Sequence, residues 1–283
     1  MTDIGNRSET DAARFATDGY AVLDRFLPES ILAPLRGQVQ SVLERPQISG
    51  CQRPNNHLVA LRWSDQVVRS ILGHRARQNR VSRAIAADDL RWISGYVTSK
   101  EPGSAALPWH QDWWCWDHPL SFRKETAQVA LLCYLSETTE RTGALRVLAG
   151  SHRRSMTLHA LLPDARREIL ELDHPTMKDQ PGQKTIRARP GDAVILDYRL
   201  VHGTHEHAGP RRRDCVLLSF APSWRDLPDD VCGHLIQHPA LPSRRERESA
   251  QRSPLGSILP DFDGEHLDLA VNVDPPVSFS ADG

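Results

Sequence analysis

The chain has 283 residues, of which 39% are hydrophobic and 25% charged, the make-up of a soluble globular protein with a sizeable core, in one large domain or two small ones. Its net charge is −1, so no global field draws it to nucleic acid or to an acidic membrane surface. No run approaches the ~20 apolar residues of a membrane span, the polar residues 1–10 do not read as a secretory signal, and five cysteines (Cys51, Cys115, Cys133, Cys215, Cys232) show no paired metal or redox spacing, so reduced thiols in a cytoplasmic protein are the expectation.

In chain order, residues 8–17 are predicted as a short helix stopped by Asp18-Gly19, and residues 20–23 as a strand. Residues 29–45 put Ile31, Leu32, Leu35, Val39, Val42 and Leu43 on one helical face. Ser64 is expected to cap a helix over 65–72 that Gly73 ends, and residues 75–87 to form another. Beyond residue 90 the pattern changes to short strands, predicted over 91–98, 126–135, 145–148, 184–188, 193–197 and 215–221, with turn signals such as Pro102-Gly103, Gly143, Gly150 and Pro190-Gly191 between them. Residues 153–182 read as an insertion over one face, with a helix over 165–172, and residues 244–252 as a charge-rich solvated stretch. Many short strands with Gly/Pro turns imply a mainly β sandwich or barrel with flanking helices.

Two features carry chemistry. Trp109-His110-Gln111-Asp112 sets a His and an Asp two residues apart, which in an extended segment point to the same side. Two His and one carboxylate on one face of a metal leave positions open, the arrangement of non-haem iron(II) oxygenases. A third ligand is offered by His202, read as the end of the strand that follows Pro190-Gly191-Asp192 and next to Gly203, with His205 and His207 as rivals. Eleven residues past His202, Arg213 opens an apolar run, and a guanidinium there can grip a carboxylate through two parallel hydrogen bonds. Strand alternation turns Arg213, Cys215 and Leu217 to one face and Arg212 to the other; Arg211 and Arg212 read as solvated. His152 and Asp117 read as a turn-stabilising and a surface residue. Trp113, Trp114 and Trp116 crowd the metal loop and Trp224 follows the Arg213 strand. Buried tryptophan usually packs, but a loop carrying a ligand also lines the pocket, so these four are the candidate substrate contacts.

These pieces, in order, resemble the phytanoyl-CoA dioxygenase family of 2-oxoglutarate oxygenases. The matching residues are Phe15-Ala-Thr-Asp-Gly-Tyr20 with Phe26-Leu27, Trp109-His-Gln-Asp112, Thr142-Gly143-Ala-Leu145 leading to Gly150-Ser151-His152, Pro190-Gly-Asp192 leading to His202-Gly203, and Arg213. Ala149 stands where the family usually has proline before Gly-Ser-His. The resemblance implies a double-stranded β-helix, a cupin-like jelly roll, in one domain over 1–283 with a core of about 10–225 and an extension over 226–283. It implies iron(II) on His110, Asp112 and His202, and 2-oxoglutarate anchored by Arg213 with Thr204 as helper and Gln128 and Lys100 in the same pocket. It implies O2 as the other reactant and hydroxylation of a small molecule, of specialised metabolism by our reading. Desaturation, cyclisation or epimerisation uses the same ligands, and a non-catalytic jelly-roll binding protein is the alternative of another class.

Overall fold

Alternation along the strands decides how the layers stack. On the strand β5 (Val129–Tyr134), Val129, Leu131 and Cys133 enter one apolar cluster while Ala130 and Tyr134 enter a second. The computed structural model describes residues 4–45, 56–162 and 173–281. The first cluster lies between one sheet and the N-terminal helices α1 (Ile4–Asp18), α2 (Glu29–Leu43), α3 (Gln66–Leu72) and α4 (Arg75–Ala84); the second lies between two sheets.

The larger sheet has the order β1 (Tyr20–Leu23), β8 (Ala193–Asp197), β5, β10 (Arg213–Ala221), β3 (Arg91–Lys100), β2 (Asn56–Ala60). The smaller has the order β4 (Leu107–His110), β9 (His202–Thr204), β6 (Leu145–Val147), β7 (Lys184–Ile186). All the pairings between these strands are antiparallel. The strands β3 to β10 cross back and forth between the two sheets, which is the winding of a double-stranded β-helix. β1 and β2 extend the edges of the larger sheet. After β10 come α5 (Asp229–Leu235) and α6 (Arg247–Gln251). Residues 226–281 are not a loose appendix: Val231, Leu235 and Phe279 join the inter-sheet cluster, and Leu241, Leu255 and Ile258 join the outer one.

The structure departs from the sequence reading in instructive places. The N-cap of α3 is Asp65, not Ser64, and the Asp65 carboxylate accepts instead from the Arg62 amide (2.8 Å) and pairs with Arg45 (2.7 Å). Gly73 ends α3 in a right-handed conformation. The helix expected to reach residue 87 stops at Ala84, just before the left-handed φ of 52° at Ala86. β2, β4 and β9 escaped the sequence reading because they are short and carry Asn, His, Pro or Gly; ladder pairing rather than propensity makes them strands. The helix expected over 165–172 lies outside the described residues, as does Cys51. The described flanks of that insertion cover the outer face of the smaller sheet, where Leu158 and Leu162 pack on Trp109, Leu148 and Val201. Cys115, Cys133, Cys215 and Cys232 are free and buried, and burial pushes the Cys215 and Cys232 thiols up to about 12, so they stay protonated and inert. Among the described residues no helix is long and apolar enough to cross a membrane.

Candidate active site

His110 is the last residue of β4 and His202 the first of β9, and the two are register partners across the smaller sheet. His202 therefore opens β9 rather than ending β8; residues 198–201 carry the chain from one sheet to the other between them. The ring centroids of His110 and His202 are 4.3 Å apart. Close approach of β4 and β9 requires Gly203, because a Cβ there would stand 2.7 Å from the Leu107 carbonyl oxygen and 3.0 Å from that of Pro108. Asp112 lies beyond the end of β4, on a loop whose backbone is fixed by the turn after β8. The amides of Asp112 and Trp113 both donate to the Tyr198 carbonyl, at 2.9 and 3.0 Å, and the Gln111 side-chain amide donates to the Arg199 carbonyl.

This frame puts Asp112 Oδ1 3.6 Å from His110 Nε2 and Asp112 Oδ2 3.5 Å from His202 Nε2. One ligand atom from each of the three residues falls within 4.8 Å of the others. The tautomers suit a metal. His110 Nδ1 lies 2.8 Å from the Pro108 carbonyl and His202 Nδ1 2.9 Å from the Leu200 carbonyl. A carbonyl only accepts, so each Nδ1 carries the proton, and in a neutral imidazole Nε2 is then the lone-pair nitrogen turned to the centre. The chemistry of the donor set, two imidazoles and one carboxylate on one side of a point, fits iron(II) with open positions. His205 and His207 are not brought there. His205 meets Thr185 (Nε2 to Oγ1, 2.9 Å), and the buried His207 meets the Arg211 carbonyl (2.7 Å). His152 is buried beside Gly19.

A second group of side chains gathers on the inner face of the larger sheet. Arg213 and Lys100 are register partners on β10 and β3, and both are at least 95% buried. Lys100 Nζ donates to the Ala105 carbonyl (2.8 Å), Thr204 Oγ1 (2.9 Å) and the His205 carbonyl (3.0 Å). Thr204 lies two residues past His202 on β9, so the same face of that strand serves both groups. Arg213 donates to the Gly143 carbonyl at 2.6 Å, an oxygen presented by a residue in the left-handed region (φ 76°) that favours glycine. Arg213 Nε is buried with no hydrogen-bond partner, and no carboxylate among the described residues pairs with this guanidinium. Tyr134, which the sequence reading missed, is a neighbour on the same face. Its ring lies 5.9 Å from the Arg213 guanidinium carbon, its hydroxyl is buried without a partner, and burial pushes the phenol above its ordinary value, so it remains a proton donor. Its signal was the alternation running Gln128, Ala130, Leu132, Tyr134. Arg212 faces outward and pairs with Asp214 at 2.8 Å.

Gln128 stands apart from the Arg213 group. It precedes β5 at the opposite end of that strand from Tyr134, and its side chain is engaged at both ends, donating to Ser219 Oγ (2.7 Å) and accepting from Trp114 Nε1 (2.8 Å). Between these ends Leu132 and Leu217 are cross-strand partners in the middle of the larger sheet, and Leu217 in turn pairs with Tyr96. All three are only half-buried. Leu132 and Leu217 pack against the cluster between the sheets, so their partial exposure lies on that face. Of the four candidate tryptophans, Trp114 alone keeps partial exposure; Trp113, Trp116 and Trp224 are buried. Trp113 donates to Ser121 Oγ (2.8 Å) and Trp224 to the Asp261 carbonyl (3.0 Å).

Comparison with known proteins agrees with this geometry. Residues 15–215 match the phytanoyl-CoA dioxygenase family. The chain belongs to that family. It is an iron(II)- and 2-oxoglutarate-dependent oxygenase, with O2 as the further reactant. One curated relative, the ectoine dioxygenase of Bordetella parapertussis, is 22% identical over 226 residues, covering 73% of this chain and 72% of that protein. Among solved structures, the non-haem α-ketoglutarate-dependent epimerase SnoN from nogalamycin biosynthesis aligns with a TM-score of 0.58 at 20% identity, covering 76% of this chain and 83% of the other. HygX from Streptomyces hygroscopicus, solved with nickel and 2-oxoglutarate bound, aligns with a TM-score of 0.58 at 20% identity, covering 75% and 86%. At these identities the structural likeness speaks for the jelly-roll fold.

Proposed function

We propose that this oxygenase hydroxylates a small, partly apolar specialised metabolite, with His110, Asp112 and His202 as the iron ligands and Arg213 as the anchor of the distal carboxylate of 2-oxoglutarate. The observation that carries the reading is the convergence of three ligand atoms within 4.8 Å, with Thr204 two residues past His202 bonded to Lys100, the register partner of a buried guanidinium without a counter-ion among the described residues. An unpaired buried charge is costly, and a bound carboxylate removes that cost. Thr204 holds Lys100 in place beside Arg213, and Tyr134 is a second donor for the same carboxylate. Bound iron supplies the redox chemistry with 2-oxoglutarate and O2, the protein supplying geometry and a dry pocket. Leu132, Leu217, Tyr96 and Trp114 then give the substrate a mixed aliphatic and aromatic surface, and we read the whole chain, 1–283, as one catalytic domain.

Titrating the protein with iron(II) and 2-oxoglutarate under anaerobic conditions should give a weak visible charge-transfer band, lost in His110→Ala and in Asp112→Ala. A band and turnover retained by both variants would remove the triad. Once a substrate is found, product mass separates the outcomes. Hydroxylation adds one oxygen atom, desaturation or cyclisation removes two hydrogens, and epimerisation, the activity named for SnoN, leaves the mass unchanged. Succinate release that depends on a substrate excludes a purely binding role.

A further inference from the structure

The loop that carries Asp112 runs to Asp117, and its second half is not held by the jelly roll alone. The Asn272 amide donates to the Trp114 carbonyl at 2.8 Å and the Trp116 amide donates to the Asn272 carbonyl at 3.1 Å, so Asn272 forms a parallel bridge with Cys115 between them. Asn272 Nδ2 adds a bond to Asp117 Oδ1 at 2.8 Å. Farther along the same segment, Phe279 is buried with its ring 5.1 Å from that of Trp116 and 5.2 Å from that of His159. Ser155 donates to the Phe279 carbonyl (3.0 Å), and the Ala281 amide donates to the Arg153 carbonyl (2.7 Å). On the near side, the Leu269 amide donates to His234 Nδ1 (3.1 Å), whose ring stacks on Trp114 with centroids 4.7 Å apart. Residues 267–281 are thus tied down at both ends and bonded in the middle to the residues just past Asp112. All of them lie more than fifty residues beyond the stretch matched by the family.

We propose that this C-terminal segment is a strap that positions the Asp112 loop, with Asn272 and Phe279 as its positioning residues. The inference rests on Asp112 being an iron ligand. The Asp112 side chain is 31% exposed and sits on a loop rather than on a paired strand, so the course of the loop backbone decides where its carboxylate stands. The Tyr198 carbonyl sets that backbone at residues 112 and 113, and the strap sets it at 114 and 116. A loop pinned on one side only would let the carboxylate wander from the two imidazoles while both imidazoles, on paired strands, stayed in place. Groups that orient a ligand from behind typically contribute 10–100-fold to metal affinity.

The test is an anaerobic iron(II) titration at saturating 2-oxoglutarate, read by the charge-transfer band, well below each variant's melting temperature. Phe279→Ala empties the socket on Trp116, and Asn272→Pro removes the N–H that holds the Trp114 carbonyl. Each should raise the iron dissociation constant by about 10-fold or more and shift or weaken the band. Phe279→Leu should restore most of the affinity, and Val277→Ala, exposed on the same segment, should leave it unchanged. Should Asn272→Pro fail to fold, the two Phe279 variants decide. Variants that melt earlier yet bind iron as the parent does, with the same band, reduce the strap to a stabilising contact and overturn the proposal. A parent protein that binds no iron overturns the ligand assignment along with it.

Discussion

Arg213 and Arg212 are adjacent and chemically identical, and only the pleat separates their fates. Arg213 is buried on the inner face with an unpartnered Nε, while Arg212 is spent on Asp214 and Gln40 at the surface. If Arg213 holds the distal carboxylate of 2-oxoglutarate, its loss removes a charge-assisted contact worth about 2–5 kcal/mol, so Arg213→Ala should raise the half-saturating 2-oxoglutarate concentration by about 30-fold or more. Arg212→Ala should leave it within about twofold. The opposite ranking in a steady-state titration would mean that the anchor lies elsewhere. At this scale much was legible. His110-x-Asp112 and Arg213 stand out because their chemistry depends on short-range spacing and strand alternation. Tyr134 and the Gly143 carbonyl were not legible as partners of Arg213, since nothing in the sequence says that residues 70 to 80 positions away share its face.

The element that joins the two halves of the site is the turn between β8 and β9. Asp197 ends β8, and its carboxylate is fully engaged, accepting from Thr126 Oγ1 (2.7 Å), the Arg199 amide (2.7 Å) and the Arg199 guanidinium (3.0 Å). Burial works to raise this carboxyl, but the Arg199 charge and hydrogen bonds outweigh it and hold the group below the usual carboxylate range. Arg199 in turn donates to the Ser121 and Arg123 carbonyls, and its own carbonyl receives Gln111 next to Asp112. Removing one partner of a buried pair strands the other, a loss of about 3–5 kcal/mol. Asp197→Asn should therefore lower the urea midpoint far more than a surface substitution would, and the double variant Asp197→Asn/Arg199→Met should recover part of the loss; a near-neutral Asp197→Asn would mean that the pair adds little. The sequence announced β8 and the turn but not this pair, because Asp197 and Arg199 are two among many charges until burial is known. It likewise did not announce β4 and β9, which are strands through ladder pairing, β4 with β9 and β9 also with β6.

Among the described residues the helices cover one face of the larger sheet, the flanks of the insertion cover the smaller sheet, and residues 226–281 return to both apolar clusters. The jelly roll was legible from the many short strands and their turns. The return of the C-terminal residues was not, because a stretch of Pro, Asp and small apolar residues reads as a tail until Phe279 is seen in its socket. That socket predicts how global stability depends on pH. His159 is fully buried against Phe279, and burial lowers its pKa to about 4, against the weaker opposing pull of the Met156 backbone. Burial also lowers His152 and His238. An unfolded histidine titrates near 6.5, so as pH falls from 7 the unfolded chain takes up protons that the folded chain refuses. The stability these groups confer is complete above about pH 6.5 and is lost progressively as pH falls toward 4; for His159 alone the loss by pH 5 is about 2 kcal/mol. Asn at 159 keeps an acceptor for the Met156 amide, which His159 Nδ1 now serves at 2.8 Å, and does not titrate. Thermal melts at pH 7 and pH 5 should show the parent losing several degrees, with His159→Asn starting lower but losing clearly less over the same interval. If the variant falls by as much as the parent, His159 takes its proton without unfolding, and the packing of Phe279 does not exclude charge from that corner of the fold.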